Sequence, residues 1–365
     1  MRGMADDNFN DPQLVPNKTD AEGSSFRFWV YQNGFAFDED MYGASAEWIY
    51  IAIRRPNKPV ESGTDVYSPV ATTSATGTKL TTGFTVDWQL VKDNRTGSNN
   101  IYALSRLTGV NTRESANNFP YLNTGSTAGE ATSGLSLHWD NTGYKIPTPF
   151  GSNSSIYWNF RRAPGFFDVV NYKGTGSQRT ISHNLGAIPE LMIVKMRNGS
   201  DYWAVYHKDV GAQKYLKLNG IEAAATLNTA WNDTAPTSSV FSVWTGATNS
   251  LNDKYIAYLF ATLSGISKVG SYTGTGYGID VDCGFTAGAR FVLIKRTDST
   301  GSWYVWDSAR GIVSGNDPYL LLNSSAAEVT NTDYIDPLNA GFTVTSSASA
   351  ELNASGGTYV FLAIA

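Results

Sequence analysis

The sequence predicts an all-β chain of tandem antiparallel β-sandwich-like repeats, each about 100 residues long. Glycine and aromatic residues are abundant, at 35 Gly, 10 Trp, 20 Tyr and 17 Phe, which favours short strands joined by tight turns. Apolar runs alternate with turn residues about every ten residues. Most directly, residues 165–195 align without a gap on residues 265–295, so the same unit recurs after 100 residues.

This repeat divides the chain into four parts. They are the C-terminal half of a repeat at 1–58, a divergent first repeat at 59–163, a second repeat at 164–262 and a third at 263–365. Each part ends on an apolar strand, whose closing positions are Ile53, Phe160, Phe260 and Ile364. Each full repeat is expected to have its own core, with short linkers between repeats.

Residues 1–58 enter the repeat at its middle. Arg2-Gly3 aligns with Arg310-Gly311, and the segment 48–53 is predicted to be a closing strand. Half a sandwich cannot bury both of its faces, so we expect one of two situations. Either the chain is a fragment of a longer protein, or these residues complete a sheet with a neighbouring repeat or another chain. The second situation favours a homo-oligomer, which we expect to be a trimer.

A predicted hairpin in repeats two and three carries the candidate ligand-facing residues. Alternate residues of a strand share a face, so one face is expected to pack in the core. The other is expected to present aromatic rings to a sugar, with core packing as the alternative for any single tryptophan. The residue at the polar end of this strand is His207 in the second repeat and Asp307 in the third, and this variation suggests that the position is exposed. The candidates are Trp203, Tyr206, His207, Trp303, Trp306 and Asp307.

Composition excludes several other classes of protein. The formal net charge of -5 lacks the basic excess of a nucleic-acid binder. No apolar run reaches 18 residues, so no membrane span is predicted. The single cysteine, Cys283, excludes an intramolecular disulfide. The residues that follow Met1 contain no apolar segment, so no secretory signal is predicted there.

No catalytic or metal-binding motif is predicted. The three histidines, His138, His183 and His207, do not have metal-ligand spacing. Asp280 and Asp282 share a strand face, and their counterparts in the second repeat are threonine and serine. A solvated strand face is therefore favoured over a catalytic carboxylate pair.

No cofactor is predicted either. Calcium is the one ion that the sequence suggests, at the Asx-rich segments 316–318 and 93–95, because hard cations take oxygen ligands. Turn formation explains these segments at least as well.

Several long strings carry a resemblance to a known family. They include residues 165–170, 180–195, 269–276 and 291–311, together with 48–55 and 359–365. The chain resembles a repeat domain of unknown function that occurs in virion proteins of tailed phages, mostly marine ones. The resemblance implies a structural protein rather than an enzyme, made in the host cytoplasm and assembled into a virion with other virion proteins.

Two functions follow from this resemblance, and an enzyme is the alternative. The first is a tail fibre, spike or appendage module that contacts a host-surface glycan, since tandem β modules give length and repeated binding sites. The second is a head fibre or capsid decoration protein. The third is a polysaccharide depolymerase, which would need a pair of carboxylates in a groove.

Overall fold

The computed structural model confirms the all-β class. It describes the backbone of four short strands within residues 1–58, and then residues 59–97, 99–108, 119–131, 136–139, 142–148, 150 and 154–365. Helix in these residues is limited to α1 (Asn228–Trp231), α2 (Ala350–Asn353) and 3-10 turns at Gly63–Asp65, Arg106–Thr108 and Gly246–Thr248. None of the described helices is long and apolar enough to cross a membrane.

The four N-terminal strands form two antiparallel pairs. Strand β1 (Asp11–Gln13) pairs with β2 (Gly23–Phe26), and β3 (Phe28–Tyr31) pairs with β4 (Gly34–Phe37). The closing strand expected at residues 48–53 lies outside the described residues. The half repeat at 1–58 therefore stays a prediction.

Each of the three full repeats contains one large antiparallel sheet with the same spatial order of strands. In the first repeat the order is β5 (Tyr67–Thr72), β12 (Ser155–Phe160), β7 (Trp88–Lys92), β8 (Ile101–Ser105) and β9 (Tyr121–Asn123). In the second it is β13 (Phe167–Lys173), β20 (Lys254–Phe260), β15 (Leu191–Met196), β16 (Ala204–His207), β17 (Lys214–Lys217) and β18 (Ala225–Thr226). In the third it is β21 (Ser267–Thr273), β28 (Thr358–Ile364), β23 (Phe291–Arg296), β24 (Trp303–Asp307) and β25 (Leu320–Leu321).

A small sheet packs on the outer face of each large sheet and completes a sandwich. The first consists of β6 (Lys79–Thr81), β11 (Gly143–Thr148) and β10 (Ser136–Trp139). The second consists of β14 (Arg179–Ser182) and β19 (Val240–Val243), and the third of β22 (Ile279–Asp282), β27 (Gly341–Val344) and β26 (Ile335–Leu338). Each sandwich has its own apolar core, as expected from the sequence.

The inner faces of the three large sheets share a further core that the sequence did not predict. In β12, Ile156, Trp158 and Phe160 point into this shared core, whereas Tyr157 points into the core of its own repeat. The shared core takes the equivalent alternate residues from all three repeats. The strands at the centre of each sheet are therefore buried on both faces, which explains why they are nearly continuous apolar runs.

Three equivalent buried lysines link the repeats around this core. The Nζ of Lys195 donates to the backbone oxygen of Thr127 at 2.9 Å, and that of Lys295 donates to Ile221 at 3.1 Å. The Nζ of Lys92 donates to Ser325 at 2.8 Å. Lys195 and Lys295 thus each contact the preceding repeat, and Lys92 of the first repeat contacts the third. The three repeats therefore form a closed ring with threefold-like symmetry.

The ring closes without a covalent link between the third and first repeats. The Tyr67 ring meets the Phe291 ring edge-on at 5.3 Å, and the Arg290 guanidinium donates to the Tyr67 backbone oxygen at 3.2 Å. A β-carbon on Gly63 would lie 1.8 Å from the Ala365 backbone oxygen, so only glycine fits there. This junction has to be held by side-chain and backbone contacts alone.

Candidate functional site

The six candidate ligand-facing residues are all buried. The exposed fractions are 0% for Trp203 and Trp306, 2% for Trp303 and 4% for Tyr206, and the polar pair His207 and Asp307 are at 1% and 0%. The prediction that they face a ligand is wrong. The physical reason is that both faces of these strands are covered. The shared core covers the face with Trp203 and Trp303, and the core of each repeat covers Tyr206 and Trp306.

Two of these buried tryptophans, Trp203 and Trp303, instead join neighbouring repeats. The indole Nε1 of Trp203 donates to the backbone oxygens of Asn123 and Ser126 in the first repeat, at 3.0 and 3.1 Å. The Nε1 of Trp303 donates to Lys217 in the second repeat at 2.8 Å. A buried indole N–H needs a hydrogen-bond acceptor, and here the acceptor fixes one repeat against the next.

Asp307 lies in a buried ionic network at the junction that closes the ring. Its Oδ2 accepts from the Trp158 Nε1 at 2.8 Å and from the Arg310 Nε at 2.6 Å. Arg310 also donates to Glu328 at 3.1 Å, and Arg95 of the first repeat donates to the same carboxylate at 3.1 Å. The side chains of Asp307 and Arg310 are both fully buried. This network supplies polar contacts between the first and third repeats at the non-covalent junction.

His207 occupies the equivalent position in the second repeat as a neutral ring. Its Nδ1 accepts from the backbone N–H of Asp209 at 3.2 Å, which an imidazolium cannot do. Burial lowers the pKa of His207 to about 4. The unfolded chain therefore binds more protons than the folded chain at mildly acidic pH.

Stability is expected to fall as the pH drops from about 6.5 towards 4. The His207 contribution is about 2–3 kcal/mol across this window, since one pKa unit corresponds to about 1.4 kcal/mol. Urea denaturation at several pH values measures it, with His207→Asn as the variant that cannot titrate. Equal slopes of stability against pH for the two proteins would contradict this prediction.

An open groove lies at the junction of the second and third repeats. Its volume is about 360 Å³. One wall comes from Lys208 and Asp209, and the other comes from strands β21 and β22 with Lys268, Asp280 and Asp282. The prediction of a solvated face for Asp280 and Asp282 is confirmed, because both are exposed.

The groove differs in its side chains from the matching junction between the first and second repeats. There the Asn171 amide reaches across to the Leu107 backbone oxygen, whereas the shorter Ser271 lines the groove. One wall carries carboxylates where the second repeat has Thr180 and Ser182. The lysines and carboxylates of the two walls can donate to and accept from the hydroxyl groups of a polar ligand.

The carboxylates of the groove are already held by short local contacts. Asp280 accepts from the Thr343 hydroxyl at 2.6 Å, and Asp282 accepts from the Gly284 backbone N–H at 2.8 Å. Cys283, which follows Asp282, lies in the third repeat's core, where burial raises the pKa of its thiol to about 12. It is therefore a structural residue and not a nucleophile.

The remaining histidines take no part in this groove. His183 is buried and contacts the Thr237 backbone oxygen through Nε2 at 3.1 Å, and burial lowers its pKa. The side chain of His138 lies outside the described residues. Sequence reasoning noticed Asp280 and Asp282 and overlooked the lysines around them, although the unrepeated carboxylates already distinguished the third repeat.

Comparison with known proteins identifies one family. A family model described as a domain of unknown function (DUF7483) matches residues 153–365, which cover the second and third repeats. No curated protein matches the sequence.

Proposed function

The chain belongs to the family described as a domain of unknown function (DUF7483), and we propose that it is a structural protein of a bacteriophage virion, in a tail fibre, spike or other appendage. The proposal rests on the resemblance of its long sequence strings to repeats of phage virion proteins. It places the mature protein in the particle, in contact with other virion proteins. It assigns the chain no enzymatic activity.

The closed ring of three repeats is the structural observation that supports this proposal. One shared core joins the repeats, and a buried ion pair lies at the junction between the first and third. An appendage needs a rigid module that survives mechanical load and presents its surface loops in a fixed arrangement. The threefold-like shape also suits a position on a trimeric fibre axis.

Immunogold electron microscopy of intact particles tests the position in the virion. An antibody against the chain is expected to label the tail appendages, and a phage that lacks the gene serves as the control. Labelling confined to the capsid shell would favour a head fibre or decoration protein. Copy number separates the two further, because a decoration protein is present in hundreds of copies and a tail fibre in a few dozen at most.

We propose that the groove between the second and third repeats contacts the host surface glycan. The double variant Asp280→Asn/Asp282→Asn is expected to lower binding to host polysaccharide at least tenfold, because it removes two charged hydrogen-bond acceptors. Glu61→Gln/Glu222→Gln is the matched control, since it removes the same charge from exposed positions outside the groove.

Surface plasmon resonance on immobilised host polysaccharide measures this difference. Equal affinity of the two double variants would refute a glycan site in the groove. New reducing ends after incubation with the polysaccharide would instead point to a depolymerase, with Asp280 and Asp282 as the first residues to test.

The trimer expected from the sequence stays a prediction. The described repeats already form a threefold-like ring within one chain, so a trimer would have to arise through other surfaces. Light scattering of the purified protein distinguishes the expected trimer from a monomer of 39.6 kDa.

A further inference from the structure

Two loops of the third repeat meet beside strand β25 and enclose a buried carboxylate. The backbone N–H of Asp317 donates to the Thr332 backbone oxygen at 2.9 Å, and Tyr319 and Val329 pair through their backbones directly below. Asp317 is fully buried. Its Oδ1 accepts from the Val313 backbone N–H at 2.7 Å. The carboxylate is thus held in place from its own loop, and the backbone of the same residue is joined to Thr332 of the other loop.

Three oxygen atoms at this meeting point are buried without a hydrogen-bond partner. They are Oδ2 of Asp317, Oγ1 of Thr332 and Oδ1 of Asp333. A buried acceptor that lacks a partner destabilises the folded state, and more so when it is charged. Single atoms without a partner occur in folded proteins, but three such oxygens on two loops that are hydrogen-bonded to each other point to one missing positive partner.

The same two loops also meet at a further carboxylate. Asp336 accepts from the Gly315 backbone N–H at 3.3 Å. The segments 313–317 and 332–336 therefore bring Asp317, Asp333 and Asp336 to one junction.

We infer that Asp317 and Asp333, together with the Thr332 hydroxyl, bind one calcium ion. All three donors are oxygen atoms, which suit a hard cation. The described residues contain no group of three His, Cys, Asp or Glu side chains that could hold a metal ion by themselves, so backbone carbonyls and water would have to complete the shell. Calcium accepts such irregular shells of six to eight oxygens, whereas magnesium requires a near-ideal octahedron. This site does not depend on the proposed virion function.

Thermal denaturation of the EDTA-treated protein with added CaCl₂ tests the site. A saturable rise of roughly 5 °C in Tm is expected at millimolar calcium, because a ligand of the folded state stabilises it, and MgCl₂ should give a smaller rise. Asp317→Asn is expected to abolish the rise. Asp298→Asn, which changes an exposed carboxylate of the same repeat outside the groove, should leave it intact.

Terbium luminescence provides a second measurement. Tyr319 and Tyr334 stack at 5.7 Å between ring centroids and adjoin the proposed ligands in sequence, so they should sensitise a bound terbium ion. Calcium should displace the signal, and Thr332→Val should weaken terbium binding even if Asp317→Asn does not fold.

The opposite result is equally clear. If the three oxygens share a proton instead of a metal, calcium will not shift the Tm of the wild-type protein and terbium will give no sensitised emission. Asp317→Asn would then be at least as stable as the wild type, because an amide supplies the missing hydrogen without a charge. Either the absent Tm shift or the absent emission overturns the calcium site.

Discussion

Replacing Trp88 by alanine is expected to destabilise the folded chain by about 3–5 kcal/mol, the usual range for deleting a buried aromatic side chain. Trp88 lies at the centre of the shared core and is 3% exposed. Its ring stacks on Tyr258 of the second repeat with centroids 4.4 Å apart, and it also contacts Phe160 of its own repeat at 4.9 Å. The cavity would therefore open between two repeats and not within one.

This position distinguishes a shared core from three independent ones. With a shared core, Trp88→Ala should lower the stability of the second repeat as well as that of the first. Hydrogen exchange of amides in β15 and β20 measures this effect directly, because these strands contain no mutated residue. Tyr277→Ala is the control, since that tyrosine is 75% exposed. Unchanged protection of β15 and β20 in Trp88→Ala would show that the repeats unfold separately.

Replacing Asp307 by alanine is expected to lower the free energy of unfolding by about 3–5 kcal/mol, because the buried Arg310 loses a carboxylate partner. Arg310 would keep Glu328 as its only carboxylate, and the Trp158 indole N–H would lose its acceptor. Both effects fall on the junction between the first and third repeats. The ring should therefore open there before the other junctions separate.

Urea denaturation of Asp307→Ala measures the loss of stability, and limited proteolysis near residue 63 reports the opening. Asp298→Ala is the matched control, because Asp298 forms an exposed pair with Arg296 at 3.0 Å and should contribute less than about 1 kcal/mol. Asp307→Asn should lose less than the alanine variant, since the amide oxygen can still accept from Trp158. A loss for Asp307→Ala that matches the exposed control would refute a stabilising role for the network.

The repeat could be predicted from the sequence because its strands and turns depend on local residue patterns. The ungapped match of residues 165–195 to 265–295 predicted that both segments have the same strands, and β13 and β21 are indeed equivalent. The hairpin of β23 and β24 was likewise predicted from two apolar runs around a turn. Turn residues and strand periodicity act over a few residues, so the sequence alone locates the strands and groups their residues by face.

What covers each face was decided only in three dimensions. Period-two alternation separates Trp303 from Trp306, but it cannot say whether a second sheet lies over either side, because the covering residues are distant in sequence. The three lysines ended equivalent strands in the sequence, yet their burial follows from contacts more than 60 residues away. The sequence by itself determined that the chain is all-β and consists of repeats. Long-range packing decided that the repeats close around one core, and this closure removed the expected binding face. The physical reason is that the apolar strand faces would otherwise contact water.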